Sequence, residues 1–393
     1  MNNPNTMESC SQSINTKFQL EFHQSLKFGE HLGSGKFGSV YRGEWNTKGK
    51  VLTVALKKVS ELQKEADILA GTEHPNIIKF YGVSRTAADF VIVTELAERG
   101  SLYSYLHDPK NPDLDFYQVT KWALQIASAV EYLHYKVTKR IIHRDLKSNN
   151  IVLTGEGDCK VCDFGRSKNP THWSTVTSLA GTVRWMSPEM LLANENNKIT
   201  IATDVWSYGI VLWEMLTREV PHKSLNELRV ASLIADKHLT PVIPKKCPVE
   251  FKRLMKNCWK RVPEARHNMR QITDELNKMR KNAKLSRQYN QFIKHKNEWK
   301  CEIEDQSAEL KAVFQNTKLF LSIAKRCVIF FWRTVILRMR VNCAEYFQWN
   351  FCDQHWHAEL ENYRPSYCRS VSSDSDISRR SHDGYVNLIF KAF

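Results

Sequence analysis

Asp145, Lys147 and Asn150 stand within six residues of one another, in the stretch Ile142-His143-Arg144-Asp145-Leu146-Lys147-Ser148-Asn149-Asn150. A carboxylate there can take the proton of an attacking hydroxyl, an ammonium can neutralise a transferring phosphate, and an amide oxygen can hold a magnesium ion. Phosphoryl transfer needs this set, because its catalysis is mostly positioning and charge neutralisation. Asp163, thirteen residues after Asn150 in Asp163-Phe164-Gly165, supplies a second metal-binding carboxylate. One such triplet is common by chance; the two at this spacing are not.

Several elements must carry these groups. Gly33-Ser34-Gly35-Lys36-Phe37-Gly38 has the spacing of a phosphate-cradling loop, a weak signal alone because nucleotide-binding βαβ units share it. Here Ser39-Val40-Tyr41-Arg42-Gly43 follows and reads as a second strand, so the glycines belong to a hairpin whose bare backbone N–H groups can approach phosphates. Val51–Val59 is a β-rich run containing Val54-Ala55-Leu56-Lys57, with Lys58 on the face opposite Lys57 and read as a surface residue. Glu61 to Ala70 has helical spacing and stops near Gly71. Trp122, Ile126, Ala127, Val130 and Leu133 mark one apolar face of a long helix.

Composition sets the class. The 393 residues are 42% hydrophobic and 25% charged, as in ordinary globular proteins, and can hold one large two-lobed domain or two to three average ones. Ten scattered cysteines and a polar, Asn/Ser/Thr-rich start with no apolar run fit a reduced, cytoplasmic setting, with the nucleus a second compartment. Cys159-x-x-Cys162 could be half a zinc site, but on a strand it reads better as buried thiols. Net charge is +15, from 57 basic and 42 acidic residues, and is spread along the chain; solvated lysines account for it, with an anionic partner such as RNA or a membrane surface the sharper reading.

Together the His143-Arg144-Asp145 and Asp163-Phe164-Gly165 motifs, the glycine-rich hairpin and the Val-Ala-Leu-Lys strand resemble the eukaryotic protein kinases. The resemblance implies an α+β, bilobal fold over about 26–280, with a small β-rich lobe and a large helical one, preceded by a disordered leader (1–25). It implies ATP and Mg2+ as cosubstrate and metal. By the same resemblance Asp145 is the base, Lys147 stabilises the transferring phosphate, and Asn150 and Asp163 bind metal. Lys57 grips the nucleotide phosphates and is held by Glu65, which fits the family pattern better than Glu61. The ATP site would comprise Leu32, Gly33, Ser34, Gly35, Lys36, Phe37, Gly38, Val40, Ala55, Lys57, Thr94 as gatekeeper, the backbone of Glu95 and Ala97, and Val152. Leu69, Phe80, His143 and Phe164 would stack as a hydrophobic spine. Asp204 would hold the catalytic loop, and Arg266 would lock Glu189. In the hydroxyl-rich activation segment Ser174, Thr175 and Ser178 are the phosphorylation candidates, with Arg144 reading the phosphate. Thr182 is expected to stay unmodified and bond toward Asp145 and Lys147.

Lys147 and the Gly181-Thr182 platform imply transfer to Ser/Thr, whereas Asp204–Thr217 and Cys258-Trp259 look tyrosine-kinase-like. That mixture resembles the tyrosine-kinase-like group and its mixed-lineage kinases. Trp213–Pro221 and Asn297–Glu304 resemble the branch whose members carry a leucine zipper and a sterile-alpha motif. This implies a MAP kinase kinase kinase acting on MAP kinase kinases of a stress-activated, JNK-type cascade. Residues 281–326 read as helical with a short, impure heptad pattern from Trp299 and Ile303 through Leu310, Val313, Phe320 and Ala324, a candidate homodimer seam. Residues 327–393 form a basic, aromatic tail, serine-rich and disordered over about 366–384. The apolar run 319–341 is broken by Lys325, Arg326, Arg333 and Arg338 and is not expected to span a membrane. Cys343, Cys352, His355 and His357 are a weak zinc set. The rival functions are a scaffold pseudokinase, against which the intact motif set argues, and a kinase localised by RNA or ribosome contact through the tail.

Overall fold

The structure is a computed structural model that describes residues 26–35, 38–47, 49–59, 64–85, 90–165, 182–192 and 199–315. Lys36, Phe37, Glu61, the activation-segment hydroxyls Thr171 to Ser178, and everything beyond 315 lie outside the described residues.

Strand-forming runs punctuated by glycine give β1 (Leu26–Gly35), β2 (Gly38–Thr47) and β3 (Lys50–Val59); α1 (Lys64–Ala70) follows, then β4 (Phe80–Arg85) and β5 (Phe90–Glu95). The five strands form one sheet in the order β1-β2-β3-β5-β4, every neighbouring pair antiparallel. Alternation divides β3 cleanly. Val54 and Leu56 are buried on one face with Trp45, Val91 and Val93. Ala55 and Lys57 project to the other, where α1 packs Ala66, Ile68 and Leu69 into the main core.

The second lobe is helical: α2 (Leu102–His107), α3 (Phe116–Tyr135), a two-stranded ribbon of β6 (Ile151–Leu153) and β7 (Cys159–Val161), α4 (Pro188–Leu191), α5 (Ala202–Thr217), α6 (Glu227–Lys237), α7 (Val249–Cys258), α8 (Met269–Arg280), α9 (Ala283–Lys294) and α10 (Lys296–Gln315). Side-chain caps set the helix starts: Asp115 accepts from the Gln118 amide at 2.6 Å, and Asn268 with Gln271 closes a capping box on α8. The predicted apolar face of α3 is buried as expected, Trp122 through Leu133.

α5 is apolar nearly all round and buried from Thr203 to Thr217, the pattern of a helix inside a large lobe. Gly209 lets it approach α7, because a Cβ there would fall 2.6 Å from both Cys258 Cβ and Trp259 Nε1. α5 ends at Arg218 in the left-handed region (φ 55°). The Arg218 guanidinium donates to the carbonyls of Leu106, Asp108 and Asn111 at 2.7–2.8 Å, stitching the α2–α3 connection to the helix end.

Hydrophobic packing does not stop at α8. Leu285, Tyr289 and Phe292 of α9, at i, i+4 and i+7, join the same core as Phe116 and Phe251, and Trp299 stacks on Phe292 with centroids 5.1 Å apart. Trp299 is 1% exposed and Ile303 packs partly buried against the core. Trp299, which opens the heptad pattern, is therefore occupied within the chain, and the side chains of Leu310, Val313, Phe320 and Ala324 lie outside the described residues. Among the described residues, no helix is long and apolar enough to cross a membrane.

Candidate active site

β1 and β2 pair from Leu26/Trp45 down to Gly35/Gly38, so the glycine-rich segment is a hairpin, as its sequence predicts. Gly38 has φ +133°, and a Cβ there would lie 1.9 Å from the Lys58 carbonyl oxygen, so only glycine fits. Ideal Cβ atoms on Gly33 and Gly35 meet nothing within 4 Å, which leaves their backbone open to a phosphate chain. Leu32 is 48% exposed on the same hairpin. Cross-strand register aligns Val40 with Lys57 and Ala55 with Thr94, so four of the predicted nucleotide-site residues share one patch of the sheet. Val152 sits on β6, half-buried and bridged to Ser101.

Lys57 Nζ donates to both Glu65 carboxylate oxygens at 2.9 and 2.8 Å and to Asp163 Oδ1 at 2.9 Å. Glu65, and not Glu61, is thus the α1 partner. Burial works against the Lys57 ammonium, but Asp163 and Glu65 outweigh it and hold its pKa above that of ordinary lysine. Asp163 is the mirror case: burial favours its acid form, yet Lys57 holds the carboxyl below the usual range, so it stays ionised. Its backbone lies at φ 62°, a non-glycine residue held in a left-handed conformation at a functional loop.

The Asp145 loop hangs from a buried post. Asp204, fully buried on α5, accepts from the His143 and Arg144 amides at 2.8 Å each and from His134 Nε2 at 2.8 Å. Burial would raise its pKa, but the bond from His134 and the facing positive potential hold the carboxyl low. Arg144, at φ 64°, holds the left-handed conformation directly before the buried Asp145. Asn150 Nδ2 donates to the Asp145 carbonyl at 2.8 Å and to its carboxylate at 3.1 Å. Lys147 Nζ lies 3.3 Å from Asp145 Oδ2 and donates to Thr182 Oγ1 at 2.8 Å, so the expected contact of Thr182 is present.

The supporting frame matches its expected form as well. Phe164 lies against His143, ring centroids 5.1 Å apart, with Leu69 buried and Phe80 half-buried in the same core. Arg266 grips Glu189 through two bonds, 2.6 and 2.9 Å. Cys159 is a buried free thiol and Cys162 a half-buried one, and among the described residues no group of three or more His, Cys, Asp or Glu could hold a metal ion.

The Glu95 side chain has a structural part that its sequence does not announce: its Oε1 accepts from the Lys79 amide and from Lys160 Nζ, each at 2.7 Å. It braces the strand end leading into the inter-lobe link against β7. Glu214, whose buried carboxylate accepts from Ser148 Oγ at 2.8 Å and Trp185 Nε1 at 3.0 Å, is flagged in the sequence only as a glutamate inside the apolar run Ile210–Leu216.

The donor set fits magnesium and a nucleotide. The ionised Asp163 carboxylate and the Asn150 amide oxygen, left free for a cation by commitment of the Asn150 nitrogen to Asp145, would make a hard-oxygen pair suited to Mg2+ with phosphate oxygens.

A bilobal body with this lysine–carboxylate bridge and hanging Asp145 loop defines a protein kinase, and residues 26–276 match the family model for protein tyrosine and serine/threonine kinases, to which the chain belongs. It is 47% identical over 320 residues to mitogen-activated protein kinase kinase kinase zak-1 of Caenorhabditis elegans, covering 78% of this chain and 43% of that protein. It is 36% identical to mitogen-activated protein kinase kinase kinase 12 of Rattus norvegicus (78% of this chain, 34% of the relative). The corresponding figures for mitogen-activated protein kinase kinase kinase 11 of Homo sapiens are 35% identity, 74% and 35%. The chain thus spans less than half the length of these relatives. The mixed-lineage resemblance read from the motifs agrees with them.

Proposed function

We propose that the chain is a Mg-ATP-dependent serine/threonine protein kinase that works as a MAP kinase kinase kinase. The observation that carries this reading is the pair of lysine bridges: Lys57 joins Glu65 to Asp163, and Lys147 joins Asp145 to Thr182. Both charged halves of a phosphoryl-transfer site are thereby assembled.

Asn150 and Asp163 would hold a magnesium ion, which when bound would supply charge neutralisation at the phosphates. Lys57 orients the α- and β-phosphates under Gly33, Gly35 and Gly38. Asp145 receives the proton of the attacking Ser or Thr hydroxyl as its oxygen bonds to the γ-phosphorus and the bond to the bridging oxygen of ADP breaks. Lys147 neutralises the phosphoryl oxygens in flight. Val40, Ala55, Thr94 and Val152 would enclose the adenine ring of ATP, with the Glu95 and Ala97 backbones bonding to it. The finer reading places the substrates among MAP kinase kinases of a stress-activated, JNK-type cascade, supported by the names of the relatives. Phosphate on Ser174, Thr175 or Ser178, read by Arg144, regulates the enzyme, and its setting is cytoplasmic.

The test is transfer of labelled phosphate from ATP to catalytically dead MAP kinase kinases, with Asp145→Asn as control. Wild type should label activation-loop Ser/Thr, and the variant should lose at least roughly three orders of magnitude in kcat while still binding ATP. Autophosphorylation alone would remove the cascade level. Equal behaviour of the two proteins in signalling, with no transfer by either, would leave a scaffold.

A further inference from the structure

α5 ends on a residue whose backbone is strained. Arg218 caps the helix at φ 55° and ψ 30°, the left-handed region that glycine usually supplies at a helix end. Its guanidinium reaches into the α2–α3 connection. Nε donates to the Leu106 carbonyl at 2.8 Å, one terminal nitrogen donates to the Asn111 carbonyl at 2.7 Å and the Asp113 carboxylate at 3.2 Å, and the other donates to the Asp108 carbonyl at 2.7 Å. The Leu106 and Asp108 carbonyls close α2, where a helix leaves its last acceptors without internal partners. The same connection receives the helices that lie beyond the kinase match. Asp113 Oδ1 accepts from Lys296 of α10 as well as from Arg218, and Tyr289 Oη of α9 donates to the Leu114 carbonyl at 2.9 Å. Lys300 of α10 pairs at 2.8 Å with Glu219, the neighbour of Arg218, and the buried Trp299 anchors α10 beside it.

At its other end α2 meets the nucleotide cleft. The Gly100 carbonyl accepts from the Leu153 amide at 2.9 Å, and the Arg99 amide donates to the Leu153 carbonyl at 3.1 Å. Ser101, the N-cap of α2, forms a backbone bridge with Val152, a residue assigned to the adenine site. A helix of six residues has little stability of its own, so its placement is set by what holds its two ends. We propose that Arg218 is a positioning residue for the nucleotide, linking the seat of α10 to the ATP cleft through α2. The inference rests on the kinase reading above. With α10 seated, Lys296 and Arg218 together pin Asp113, and the Ser101 end of α2 is held beside Val152. With α10 lifted, Asp113 loses one cation and the connection gains freedom that nucleotide binding must then remove. The coupling runs through a contiguous set of bonds from α10 to the cleft.

The test uses the full chain and compares wild type with Arg218→Gly, Arg218→Lys, Lys296→Ala and the double variant Arg218→Gly/Lys296→Ala. Glycine suits the left-handed backbone, so Arg218→Gly removes the guanidinium without adding strain. The measurements are affinity for a fluorescent ATP analogue with Mg2+, KM for ATP, kcat, and amide hydrogen exchange over 106–114. Rates are taken per nucleotide-binding-competent molecule, so unfolded protein does not count. Arg218→Gly should weaken nucleotide binding and raise KM for ATP about threefold to tenfold, with kcat within about twofold of wild type and faster exchange over 106–114. Arg218→Lys keeps the charge without the planar fork and should fall between. Lys296→Ala should weaken binding about twofold to threefold. The double variant should lose less than the product of the single losses, because both side chains act on Asp113. If Arg218→Gly does not fold, the cycle of Asp113→Asn with Lys296→Ala decides in the same way. A purely structural role would lower the melting temperature and leave nucleotide affinity per competent molecule unchanged. That result in Arg218→Gly, or fully multiplicative losses in the cycle, would overturn the proposal. Absence of nucleotide binding and transfer in wild type would instead strike the kinase reading.

Discussion

Gly38 shows how narrowly single residues are specified at the nucleotide end of the cleft. Its φ of +133° and the Lys58 carbonyl 1.9 Å from any added Cβ mean that Gly38→Ala must open the hairpin or shift β3. β3 carries Lys57, so the variant should bind ATP at least about tenfold more weakly, measurable by titration of a fluorescent nucleotide. The motif residues were legible in the sequence because phosphoryl transfer constrains residue type as well as spacing: Asp145, Lys147, Asn150 and Asp163 have no equivalent substitutes. Glu65 was separable from Glu61 only through the family pattern. Glu214 and the Glu95 side chain were not legible. Their roles come from donors at remote sequence positions, and no local spacing encodes such a meeting.

Elements show a similar division. β1 to β5 and α3 follow from turn glycines, β-branched runs and a 3.6-residue apolar period. Their pairing order does not follow, because β5 sits between β3 and β4 through contacts that sequence alternation leaves open. The tie between α4 and the turn before α8 is a consequence at this level. Arg266 has a fully buried side chain and fixes Glu189, 12% exposed. Arg266→Ala would strand that carboxylate, costing about 3–5 kcal/mol and lowering the melting temperature by roughly 10 °C, as scanning calorimetry would record. The pair also sets a pH response. Burial favours the protonated form of Glu189, but the bonds from Arg266 hold its carboxyl below the ordinary glutamate range. A carboxyl depressed in the folded state contributes stability that is complete above about pH 5 and is lost as pH falls through the folded value. The acid limb of wild-type stability should therefore be steeper than that of Glu189→Gln, in urea melts taken from pH 7 to pH 3.

For the molecule as a whole, the kinase family match ends at 276 while the core runs on to Trp299. The i, i+4, i+7 spacing of Leu285, Tyr289 and Phe292 was a visible sign of an amphipathic helix, but a helical period does not say which surface receives it. The receiving surface is α3 and α7, through Phe116 and Phe251, with Tyr289 Oη donating to the Leu114 carbonyl at 2.9 Å. Around this seat lie ion pairs of Asp113 with Lys296 and of Glu219 with Lys300, and Asp113 also bonds to Arg218. Trp299→Ala should cost about 3–5 kcal/mol by deleting a buried indole and leaving a cavity. A chain stopped at Arg280 should be less stable still, because it exposes the rings that α9 covers.

Trp299 also divides the polypeptide for a protease. Among the described residues, α9 and the first turn of α10 are held against the core through Leu285, Tyr289, Phe292 and Trp299, whereas cleavage demands a locally unfolded stretch of several residues. Brief digestion should therefore leave a resistant fragment that retains Trp299 at its carboxyl-terminal side, and that fragment, not one trimmed at the family boundary, is the natural unit for expression, for fusion to other sequences and for crystallisation.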